Sequence, residues 1–132
     1  MSDCKELDCE KLEVFCKMFR GVYMSIWRDG DCVMMDLPLI FSDGCMAVIN
    51  TRMMPDGKVR VSDDGRIAKH EPLTPADVYE ICDKHNLEYV LKDESDDPPL
   101  DCEIYKVVDR LHFHDAVFAI IKASMDARDM WG

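Results

Sequence analysis

The sequence predicts a single α+β domain over residues 1–132, in which a curved antiparallel β-meander packs against two or three α-helices. Three observations carry this expectation. Asp-Gly dipeptides at 29–30, 43–44, 56–57 and 64–65 cut residues 22–67 into short pieces rich in Val, Ile and Met. Thr74-Pro75-Ala76-Asp77 is a helix opening, and the segment 113–128 repeats apolar residues at helical spacing. The length of 132 residues suits one domain. At 48% apolar and 33% charged, the chain has material for a packed core and is neither disordered nor collagen-like.

The elements follow in order. Residues 3–20 read as a helix, because Asp3 and Glu6 form a capping pair and Leu12, Phe15, Cys16 and Phe19 keep to one face. Gly21 stops it. Asp-Gly tolerates the positive φ of tight hairpin turns, so the next stretch reads as strands at 22–27, 32–37, 45–53 and 58–62. In the last, Val59 and Val61 alternate with Lys58, Arg60 and Ser62, the pattern of a sheet with one wet face. In the helix opened by Thr74, the Thr side chain accepts an orphan backbone N–H, Pro75 presets φ, and Asp77 suits the dipole. Val78, Ile81, Cys82 and His85 line its buried stripe, and Asn86 is a left-handed stop. Strands at 87–91 and 103–108 flank the acidic, proline-bearing segment KDESDDPPLD at 92–101, which reads as a solvated loop. In the closing helix Val117, Ile120, Ile121 and Ser124 share one face, with Phe118 and Met125 beside it.

Charge and cysteine usage bound the function. With 27 acidic residues against 16 basic ones the net charge is −11. Such a surface repels phosphate backbones and anionic lipid and attracts basic proteins. No apolar run approaches the roughly 20 residues of a membrane span. The opening MSDCKELDCE is charged where a signal peptide is apolar, so a cytoplasmic protein is expected. The seven Cys, at 4, 9, 16, 32, 45, 82 and 102, form no C-x-x-C pair and read as reduced thiols, most of them small core residues such as Cys16 and Cys82.

The element order, with WRDGD (27–31), LPLIFSDG (37–44) and VRVSDDG (59–65), resembles a domain family of unknown function found in bacteria and their phages. The resemblance covers roughly residues 12–126 and is carried most by the strand ending in Ser62-Asp63-Asp64-Gly65. It implies an α+β domain associated with phage or mobile-element genomes, and it brings no catalytic residues.

Several residues have the chemistry for a site. Asp63 and Asp64 at a strand end can hold Mg²⁺ or share a proton, with Glu103 and Lys106 as the nearest helpers by type; the same Asp-Asp-Gly also reads as a turn. His112 and His114 form an H-x-H near Asp109, Asp115 and Cys102, but a helix start at this point splays them apart. His70 and His85 read as packing residues with one hydrogen bond each. Cys4, beside Lys5 near a helix start, is the only candidate nucleophile, and it reads first as an exposed, inert thiol. No G-x-S-x-G, Walker loop or dinucleotide glycine fingerprint is present. No catalytic residue, metal ligand or cofactor is therefore assigned.

The remaining feature is acid in loops: Asp29 and Asp31, then the group Asp93, Glu94, Asp96, Asp97, Asp101 and Glu103, which is the expected partner-binding set. Among the ten Met, Met53-Met54 is the pair expected at the surface. The expected function is that of a non-catalytic, phage-type acidic protein that binds a basic protein partner and inhibits a host nucleic-acid complex of the CRISPR or restriction kind. Two alternatives stand beside it: a metal-dependent nuclease or hydrolase using Asp63 and Asp64, and a regulatory or structural homodimer formed through a sheet edge or the Met-bearing surface.

Overall fold

Turn chemistry sets the first half of the fold. In the computed structural model, which describes residues 25–92 and 99–130, strands β1 (Ile26–Asp29), β2 (Cys32–Ile40), β3 (Met46–Met53) and β4 (Val59–Ser62) follow one another as an antiparallel meander. The helix expected over 3–20, with Cys4, Cys9 and Cys16, lies outside the described residues, as do Asp93, Glu94, Asp96 and Asp97. The connecting turns are closed as Asp-Gly predicts. Asp43 and Asp56 each accept a hydrogen bond from the backbone N–H two residues on, at Cys45 and Lys58, and the following glycines have positive φ. Strand β2 runs three residues beyond its expected end, through Pro38, and its register with β3 shifts between Asp36 and Ile40. A proline has no N–H for the ladder and is tolerated at such an irregularity.

The second half adds α1 (Arg66–His70), α2 (Pro75–His85), β5 (Glu88–Leu91), β6 (Cys102–Val108), a 3₁₀ turn (Arg110–His112) and α3 (Phe113–Asp129). The sheet order is β1-β2-β3-β4-β6-β5, with every pair antiparallel, so β6 lies between β4 and the edge strand β5. Helix α2 has its expected bounds because its signals agree: Thr74 and Asp77 close a reciprocal capping box, and Asn86 stops the chain at φ 53°. Helix α1 was not expected, since five residues are too few to show a helical period.

Helices α2 and α3 pack on each other, and α3 lies against β4 and β6. Val33, Met35, Leu37, Ile49, Val59, Val61 and Ile104 from the sheet meet Ile67, Val78, Ile81, Phe113, Val117 and Ile120 from the helices in one buried cluster. Each such side chain contributes roughly 1.5–3 kcal/mol of burial. Two expectations need correction. The outward face of β4 is not wet, since Ser62 is only 2% exposed and Arg60 is half-buried. Met53 and Met54 are half-buried, with Met53 packed on the core.

Register assigns the turns to two ends of the sheet. Val33 pairs with Thr51 and Val59 with Val108, so the 29–32 and 53–59 turns lie at one end. Ser62 pairs with Tyr105 and Leu91 with Cys102, which puts the 41–45 loop, the 62–66 turn and the base of the 92–101 loop at the other. No described helix is long and apolar enough to cross a membrane.

Candidate functional site

The Ser62-Asp63-Asp64-Gly65 turn is built around a buried carboxylate. Asp63 Oδ1 accepts hydrogen bonds from the backbone N–H groups of Gly65 (2.8 Å) and Ile104 (2.8 Å), and Oδ2 accepts one from Ile67 (3.1 Å). One side chain thus closes the turn, starts α1 and ties β4 to β6. Burial pushes its carboxyl up to about 6, against the pull of those three donors. Asp64 (φ 55°) and Gly65 (φ 77°) are both left-handed, a conformation natural to Gly and tolerated by Asp. Asp64 points outward toward Arg66, at 4.0 Å. The two aspartates therefore serve the turn, and they present no shared face to an ion.

Beside this turn lies a second carboxylate with internal partners. Glu103 takes both guanidinium nitrogens of Arg60 (2.9 and 2.8 Å) and the Ser62 hydroxyl (2.5 Å), while the Arg60 guanidinium stacks 4.1 Å above the Tyr105 ring. Hydrogen bonding from Arg60 holds the Glu103 carboxyl down at about 2. Glu103 was expected to face a partner; its oxygens are occupied, and it leaves the binding set. Asp101 is exposed at the base of the 92–101 loop, whose neck is closed by the Lys92 N–H donating to the Asp101 carbonyl (2.8 Å). Asp29 and Asp31 are exposed at the opposite end of the sheet, so the loop acids do not all converge.

Exposed acids gather elsewhere, on α2 beside the edge strand β5. The rings of Tyr79 and Tyr89 meet at 5.2 Å and remain 46% and 40% exposed. Beside them Glu80 and Asp83 of α2 are exposed, and among the described residues no cation pairs with them; Glu88, next to Tyr89 in β5, turns to the opposite face of the sheet with its cross-strand partner Tyr105. Lys84, the nearest base on α2, is engaged by Asp126 of α3 at 3.1 Å. Tyr79, Glu80, Asp83 and Tyr89 rim an open depression of about 520 Å³ floored by Cys82 and Leu87. Helical geometry explains the grouping. Val78, Ile81 and Cys82 take the buried stripe, which turns Tyr79, Glu80 and Asp83 to solvent, and Tyr79 and Asp83 lie one turn apart. Because β5 is an edge strand with three exposed residues, Tyr89 is free to lean on Tyr79. The 92–101 segment follows β5 directly along the chain. The signal was present in the sequence as a tyrosine and two acids on the side of α2 opposite its apolar stripe.

The histidines behave as their positions imply. His112 ends the 3₁₀ turn and lies 3.2 Å from Asp115, whereas His114 packs its ring against Phe113 and Phe118. Cys102 is buried at the far end of β6 from them. His85 bonds Asp126 at 2.6 Å, and half-buried His70 bonds Asp43. Burial raises the thiols of Cys82 and Cys102 to about 11 and about 12, which makes both inert core residues.

No protein-family model, curated protein or solved structure matches this chain.

Proposed function

We propose that this protein works by binding, and that the tyrosine-and-carboxylate face of α2 and β5, together with the acids of the 92–101 segment, holds a basic segment of a partner protein. The observation that carries this reading is the exposed Tyr79–Tyr89 pair with Glu80 and Asp83 beside it, neither paired with a cation among the described residues. An arginine suits such a face twice over. Its guanidinium stacks on a tyrosine ring while its fork reaches a carboxylate, and tyrosine is enriched among residues that dominate interface energetics. The net charge of −11 speeds the approach of a positive partner.

The partner class is a protein whose groove is lined with Arg and Lys for phosphate, since such a groove offers the complementary charge. Occupying it blocks nucleic acid, and the resemblance of VRVSDDG and its neighbouring turns to a phage-associated domain supports an inhibitor of a host CRISPR or restriction complex. Calorimetric titration with an arginine-rich peptide tests the face. Replacing Tyr79 and Tyr89 by Ala is expected to weaken binding about tenfold or more, and Glu80→Gln with Asp83→Asn to do the same with a shallower salt dependence. Asp29→Asn with Asp31→Asn serves as control; a loss as large in this variant would overturn the assignment, because it would show attraction to net charge alone.

A further inference from the structure

We propose that Asp43, Cys45 and His70 bind one divalent transition-metal ion of the zinc class. Their ligand atoms, a carboxylate oxygen, a thiol sulfur and an imidazole nitrogen, all lie within 4.8 Å of one another, the one such group of three among the described residues. This site is independent of the partner-binding face: it sits where the β2–β3 loop meets the end of α1.

The cluster is held by a frame that does not depend on an ion. Phe41 is buried, and the His70 ring stacks on it with centroids 4.9 Å apart and planes within 10°. Glu71, fully buried, accepts the backbone N–H of Ser42 (2.6 Å) and its hydroxyl (2.7 Å), which pins the loop to α1. The Phe41 N–H donates to the Cys45 carbonyl at 2.8 Å, and the Gly44 N–H to the Phe41 carbonyl at 3.0 Å. Asp43 Oδ1 accepts the Cys45 N–H at 3.0 Å, leaving Oδ2 to meet His70 Nδ1 at 2.5 Å. Cys45 and Asp43 are exposed, so the way in is open.

Mixed nitrogen, sulfur and oxygen donors suit Zn²⁺ and its neighbours in the first transition row, and hard Mg²⁺ or Ca²⁺ poorly. Bond lengths of about 2.0–2.3 Å place the donors of one tetrahedral ion roughly 3.2–3.8 Å apart, so the His70–Asp43 contact opens by about 1 Å when the ion replaces the proton between them. The Cys45 thiol loses its proton to solvent as the S–metal bond forms, the His70 ring proton resides on Nε2, and Asp43 binds as the carboxylate. Three protein ligands leave the fourth position to water or to a donor from a partner.

Cobalt(II) titration of the full-length, reduced protein tests the site. The expected result is one equivalent bound, with a sulfur-to-cobalt charge-transfer band in the near ultraviolet that Zn²⁺ displaces. Cys45→Ser abolishes the band, Asp43→Asn and His70→Gln each weaken affinity about tenfold or more, and Cys32→Ser changes nothing. Absence of a charge-transfer band, or a band that persists in Cys45→Ser, overturns the proposal. So does wild-type affinity in both Asp43→Asn and His70→Gln, because the thiol then acts without the other two donors.

Discussion

Asp63 and Glu103 at the β4–β6 junction, and Glu80 and Asp83 on α2, are acids with opposite fates. The first pair is enclosed by donors from its own chain: three backbone N–H groups for Asp63, Arg60 and Ser62 for Glu103. The second group faces solvent beside two exposed tyrosines. A count of acids does not separate them; the source of each carboxylate's partners does. The first pair holds the fold, and the second is available to something outside it.

This contrast is broken most severely at Asp63. Asp63→Ala leaves three buried N–H groups without an acceptor, each costing about 1–3 kcal/mol, against which removal of a desolvated carboxylate gives some relief. The expected loss is about 3 kcal/mol or more, measured by urea denaturation. Glu103→Gln is next. It deprives half-buried Arg60 of its counter-charge while keeping an acceptor for one donor, and should cost about 1–2 kcal/mol in the same assay.

The two carboxyls also sharpen the comparison through pH. Asp63 is raised from 3.8 to about 6, so its contribution is present below the unfolded value and is lost as pH rises through about 6. Glu103 is lowered from 4.5 to about 2, so its contribution is present above the unfolded value and is lost as pH falls toward 2. Thermal melting across pH should show highest stability between about pH 4 and 5, a decline toward neutrality that Asp63→Asn flattens, and an acid-side decline that Glu103→Gln flattens. The smallest stability effect is expected at the other group. Glu80→Gln and Asp83→Asn together should leave the melting temperature nearly unchanged, a shift worth about 0.5 kcal/mol or less, because no described cation depends on them.

Much of the fold was legible because its signals are local. Four Asp-Gly turns, the Thr74–Asp77 capping box and the spacing of Val117, Ile120 and Ser124 each act within a few residues, and the elements they mark are present. Helix α1 was hidden for the opposite reason, since its start depends on a carboxylate that also binds Ile104, 41 residues away. Glu103 misled for the same cause: its charge is a surface charge only if Arg60 is elsewhere, and strand pairing decides that. The Tyr79–Tyr89 contact required knowing that β5 forms an edge beside α2. The Asp43–Cys45–His70 cluster joins a hairpin turn to a helix the pattern did not reveal.

The central claim, that Tyr79 and Tyr89 with the exposed acids beside them form the binding face, is tested most directly by mapping backbone amide shifts during titration with an arginine-rich peptide. The account predicts that shifts concentrate at Tyr79, Glu80, Asp83, Tyr89 and the 92–101 segment and fade with added salt. Shifts of equal size at Asp29, Asp31 and the other exposed acids would contradict it.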